Sequence, residues 1–209
     1  EPVEVAIAAD PGPLFTLRRF EVLDAVTGQP QLRAEIDFST LGINPGDPAR
    51  ADAVIRAQNE VVDQMRRQGY PFAAVPNRRV IVDHAMLQVE VTLFAEPGPF
   101  TLFGEIAVEG LEDMDVDFVR DRIDAGPESP YSPEAVRGMR DSLAELDVFT
   151  GIRVDTADDL DSDGRLPVIV HVTQRPRRVV GFGADFNTSE GFGVRVYWGL
   201  RNLFGCAGS

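Results

Sequence analysis

"PGPLFTLRRFEV" (Pro11–Val22) and "PGPFTLFGEIAV" (Pro97–Val108) are one pattern written twice. Each opens on a Pro-Gly-Pro turn and runs without a gap into an apolar stretch, the signature of a turn feeding a strand. Two copies so placed in a chain of 209 residues divide it into two modules of ordinary domain size.

The parallel extends downstream of each copy. A short, weak helical stretch comes first, Gln31–Phe38 in one module and Val116–Asp124 in the other. A stronger helix comes next. In the first module Asp47 is placed to cap it, Pro48 takes the first helical position, and Gly69 ends it. Between them Ala51, Val54, Ile55, Gln58, Val61, Val62 and Met65 recur at spacings of three and four. In the second, Ser132 caps, Pro133 opens, and Val136, Met139, Leu143 and Leu146 form the stripe. Two strands close each module: Ala73–Val82 with Met86–Phe94, and Ile152–Asp155 with Leu166–Thr173, joined by turns at "DHA" and "DDLDSDG". Each module therefore reads β-α-α-β-β. The fold class is α+β, a mixed three-stranded sheet in each module with two helices covering one face.

The net charge of −14 argues against nucleic acid, since phosphate binding needs clustered cations. No lysine occurs, which removes Walker, Schiff-base and lysine general-base chemistry together. Cys206 is the single cysteine, so neither an internal disulfide nor a cysteine zinc cluster can form. No window reaches the roughly 18 to 20 apolar residues of a membrane-spanning helix.

The final segment is different in kind. Val180, Phe182, Ala184 and Phe186 alternate with Gly181, Gly183, Asp185 and Asn187. After "TSEG", Phe192, Val194, Val196, Trp198 and Leu200 alternate with Gly193, Arg195, Tyr197 and Gly199. Periodicity alone fits a soluble hairpin with one buried face. Both modules, however, already have their strands, and the apolar/small alternation over about 9 to 11 residues per arm is that of a membrane barrel strand.

Two such modules ahead of a glycine-aromatic hairpin resemble POTRA domains, the periplasmic modules preceding the barrel of BamA- and TamA-type outer-membrane assembly factors. Arg201, Asn202, Leu203, Phe204 and Gly205 match the "RNLFG" signature of a TamA-like first barrel hairpin, although the chain then departs from the family pattern with "CAGS". The resemblance implies a division into a last strand of a preceding POTRA unit (1–10), two complete units (11–96 and 97–176), the first hairpin of a barrel (177–205) and a tail (206–209). It further implies a non-enzymatic scaffold at the Gram-negative outer membrane, lying mainly in the periplasm. Unfolded barrel or autotransporter clients and a TamB-like periplasm-spanning protein are its implied partners, and no cofactor is expected.

By the same resemblance the second strand of each unit lies at a sheet edge. This makes Arg79 and Ile81, and Ile152 and Val154, candidate docking positions for β-augmentation. Val180, Phe182, Ala184 and Phe186 would form one side of the barrel seam. The unpaired hairpin is expected to be disordered or to associate with another molecule. Two rival readings are the POTRA region of a two-partner-secretion transporter and, from another class, a soluble periplasmic enzyme or ligand module. "RPRR" supplies Arg175, Arg177 and Arg178, read either as a solvated linker or as a contact for lipid headgroups.

Other constellations are weak. Asp159, Asp161, Asp163 and Gly164 fit the start of a calcium loop, but Val170 stands where its glutamate belongs, so an acidic hairpin turn is expected. His84 and His171 are isolated and read as structural. No catalytic residue and no metal site is assigned.

Overall fold

The structure, a computed structural model, describes residues 12–112, 114–123, 125–126 and 128–175, and the backbone of 178–187 and 191–200. The expected strand at 1–10, Arg177, the Arg201–Gly205 motif and Cys206 lie outside the described residues. The chain divides into two compact units between Phe100 and Thr101, slightly later than the boundary at 96/97 drawn from the repeated turn.

The first unit contains β1 (Thr16–Asp24), α1 (Ala51–Arg67), β2 (Ala74–Asp83) and β3 (Gln88–Glu96). Its sheet has the order β1-β3-β2, with β1 parallel and β2 antiparallel to the central β3. Val89, Val91, Leu93 and Ala95 of β3 pack with Leu17 and Val22 of β1 and with Val54, Ala57, Val61 and Met65 of α1. The three-and-four spacing of the helix thus buries one stripe against the sheet. Ala51 and Ile55 from the expected stripe are exposed instead.

Two local expectations fail in this unit, each for a visible reason. Residues 31–37 are not helical; only a 3-10 turn, Phe38–Thr40, forms. The backbone there is held by side chains of α1 and the turn after it. Gln64 accepts from the Asp37 N–H (2.7 Å) and donates to its carbonyl (3.1 Å), and Gln68 does the same for Glu35 (2.9 and 2.6 Å). The Tyr70 hydroxyl donates to the carbonyl of Arg33 at 3.1 Å. Arg33, Glu35 and Asp37, alternate residues of the segment, are each gripped in this way, which outweighs its local helix propensity.

The second failure concerns the start of α1. Asp47 does not cap it: its carboxylate accepts from the Asn44 N–H at 2.8 Å, and Pro48 bridges to Thr16 of β1. The helix begins at Ala51 behind Arg50, with no side-chain cap.

The second unit has β4 (Phe103–Glu109), α2 (Val116–Arg120), α3 (Pro133–Ala144), β5 (Phe149–Thr156) and β6 (Leu166–Gln174), and its sheet repeats the plan as β4-β6-β5. The Ser132 hydroxyl accepts from the Ala135 N–H at 3.0 Å and Pro133 opens the helix, as its sequence predicts. Met139 and Leu143 are fully buried against Phe103, Val168 and Val170. The core residues of the two units form separate clusters.

β7 (Arg178–Asn187) and β8 (Gly191–Leu200) form a two-stranded antiparallel sheet. Val180, Phe182, Ala184 and Phe186 stand in register with Trp198, Val196, Val194 and Phe192.

Candidate functional site

An edge strand normally discourages strand addition with charge, proline or a bulge. β2 does so toward its start, where Pro76, Arg78 and Arg79 stand and where its register with β3 shifts between Ala74 and Asn77, and at its last residue, Asp83. Between Arg79 and Asp83 lie Val80-Ile81-Val82, exposed at 48, 51 and 44 %. Aliphatic residues at three successive strand positions present apolar surface on both faces of an edge that has one partner.

The two faces differ. Val80 and Val82 stand in register with the buried Val91 and Val89 and so look toward α1, whereas Arg79 and Ile81 pair with Thr92 and Glu90 on the opposite face. The Arg79 guanidinium lies over the ring of Phe94, 5.6 Å from its centroid. On the helix side, small residues at Ala49 and Ala51 leave space between the start of α1 and β2. The result is an open apolar groove of about 260 Å³ with Val54, Val80 and Val82 along its walls and Arg50 and Arg78 at its rim.

No family model matches the sequence, and no curated protein matches it. Solved structures do. A crystal structure of Haemophilus influenzae BamA POTRA3-5 superposes with a TM-score of 0.57 at 16% identity, covering 77% of this chain and 61% of that one. BamA from Haemophilus ducreyi lacking POTRA domains 1-3 gives a TM-score of 0.59 at 15% identity, with 84% of this chain and 34% of that chain covered. Both units are POTRA folds. The chain spans about three fifths of the first of these structures and a third of the second.

The two POTRA units present different edges, although the sequence makes their second strands equivalent. In the second unit Ile152 and Val154 are half-buried and packed onto the core. Between and beyond them β5 is polar: Arg153 pairs with Asp155 at 2.7 Å. His171 of β6 reaches Glu109 (3.2 Å) on one side and Asp155 (3.5 Å) on the other, tying all three strands on the face away from the helices. Of the four edge residues expected to dock partners, only Arg79 and Ile81 are exposed; Val80 and Val82, which line the groove, are not among those four. Their signal is nonetheless in the sequence, because an edge strand needs apolar residues on one face only.

The remaining candidates make local contacts. Arg175 donates to the Phe149 carbonyl (3.0 Å) and pairs with Asp147 (2.9 Å). Asp161 accepts from the N–H groups of Asp163 (2.9 Å) and Arg165 (2.8 Å), which makes the acidic run a hairpin turn between β5 and β6. Val170 is wholly buried in the adjoining strand. His84 packs edge-on against Phe15 at 5.5 Å.

Proposed function

We propose that this chain is the periplasmic arm of a TamA-like outer-membrane assembly factor, a non-enzymatic scaffold that receives extended client segments by β-augmentation. The observation that carries this reading is the unprotected Val80-Ile81-Val82 edge beside an apolar groove, on a POTRA fold. A strand added there completes backbone hydrogen bonds with β2 and covers half-exposed aliphatics. Each gains on the order of 1 kcal/mol, about half the transfer energy of a fully exposed side chain. Binding through the backbone suits clients of unlike sequence. In this reading the hairpin β7–β8 opens an outer-membrane barrel, with Val180, Phe182, Ala184 and Phe186 at its seam and Arg201–Gly205 as its family motif. A TamB-like protein is the stable periplasmic partner.

The test is photo-crosslinking with purified components. A photoreactive residue placed at Ile81 of the full chain should capture a urea-unfolded outer-membrane barrel protein on dilution, whereas one at Arg19 on the opposite edge strand should not. Equal capture at both positions, or none at Ile81, overturns the proposal.

A further inference from the structure

The charge around the groove runs against the charge of the chain. The sequence carries −14, and in the first unit Arg18, Arg19, Arg56 and Arg67 are paired with Glu90, Glu21, Asp52 and Glu60. Arg33, Arg50, Arg66, Arg78 and Arg79, by contrast, have no carboxylate within ion-pair distance among the described residues, and the three of these that stand by β2, Arg50, Arg78 and Arg79, are exposed. Two of them rim the groove, and the third stands next along the same strand. An acidic protein that leaves guanidinium groups unpaired around an open aliphatic edge strand presents a surface complementary to carboxylates.

Resting on the strand-addition reading above, we infer that the segment accepted at β2 is an acidic-apolar strand, with three consecutive aliphatic residues flanked by two consecutive Asp or Glu. The pattern follows from register. A strand beside β2 places its residues opposite Val80, Ile81 and Val82, so apolar side chains are matched on both faces there. Arg79 and Arg78 come next and, being adjacent, point to opposite faces. A single terminal carboxylate answers one of them; two neighbouring acidic side chains answer both.

A second copy of this chain is a poorer occupant. Antiparallel pairing about Ile81 sets Val80 against Val82 and Arg79 against Asp83, but leaves Arg78 facing His84.

The experiment uses the full chain and labelled peptides read by fluorescence anisotropy. One pair contains Val-Ile-Val-Glu-Glu or Val-Ile-Val-Lys-Lys; a second pair has the charged residues first, to allow for parallel addition. In at least one order the glutamate peptide should bind about tenfold more tightly than its lysine counterpart at about 50 mM salt, and the gap should narrow at about 500 mM. The double substitution Arg78→Glu/Arg79→Glu should reverse the preference while Val80→Lys/Val82→Lys abolishes binding of both. Equal affinities for glutamate and lysine peptides, still lost in Val80→Lys/Val82→Lys, would overturn the acidic preference and leave strand addition standing. Absence of binding by every peptide would sink both. Sedimentation showing a dimer that Val80→Lys/Val82→Lys dissolves would assign the edge to a second copy and so overturn the inference.

Discussion

Gln64 is buried at 7 % exposure and uses its amide on both polar groups of Asp37, with a further bond from Nε2 to the Thr40 hydroxyl at 2.8 Å. Replacing it by alanine leaves those groups unanswered in a partly buried setting, so Gln64→Ala should cost about 1–3 kcal/mol in urea unfolding. Gln68 is exposed, and Gln68→Ala should cost less, because water replaces its bonds. Neither glutamine is recognisable beforehand: a glutamine on a helix reads as solvated surface until its distant partner is known. The acid limb of stability is set by similar local bonds. The Thr27 N–H beside Asp24 and the Ser39 hydroxyl beside Asp37 hold both carboxyls below the ordinary aspartate range. A lowered folded value means that the stabilisation is present above the unfolded value, near pH 4, and is lost as pH falls through the folded one. Asp24→Asn should therefore be less stable than the parent at neutral pH. In pH-dependent thermal melts the difference should shrink below about pH 4.

At the scale of elements, the sequence shows the part set by local chemistry. Ser132 and Pro133 announce α3 because cap and first turn are contiguous in the chain. Residues 31–37 and the start of α1 are not legible, because Gln64, Gln68 and the pairing of Pro48 with Thr16 decide them from a distance. The unlike edges of the two units are only partly legible: "VIV" in β2 is aliphatic on both faces where "IRV" in β5 has a charge on one, but that α3 covers one edge and α1 leaves the other open is decided at a distance. That difference predicts opposite outcomes for similar substitutions. Val80→Lys/Val82→Lys places two charges on exposed positions and should change stability by no more than about 0.5 kcal/mol. Ile152→Lys must push a half-buried side chain out of the core and should destabilise the second unit by about 1–3 kcal/mol. Chemical denaturation of the two variants distinguishes an open edge from one closed by its own helix.

For the molecule as a whole, the question is whether two units with separate cores also unfold separately. The repeated Pro-Gly-Pro turn marks where one ends, but the structural boundary falls after Phe100, whose ring lies over Gly69 and stacks edge-on with Tyr70 at 5.9 Å. Gly69 has a φ of +100° and a Cβ built there would run into that ring, so both backbone and space demand glycine. Gly69→Ala should cost the first unit about 1–3 kcal/mol. Adding Phe100→Ala to that variant removes the collision but not the backbone strain, and should recover only part of the loss. Hydrogen exchange resolves the effect by position. In Gly69→Ala the amides of α1 and β3 should lose protection while those of α3 and β6 keep theirs, since the buried residues of the two cores are not shared. Equal loss in both sets would mean that the units unfold as one, and that cooperativity crosses the boundary the two cores respect.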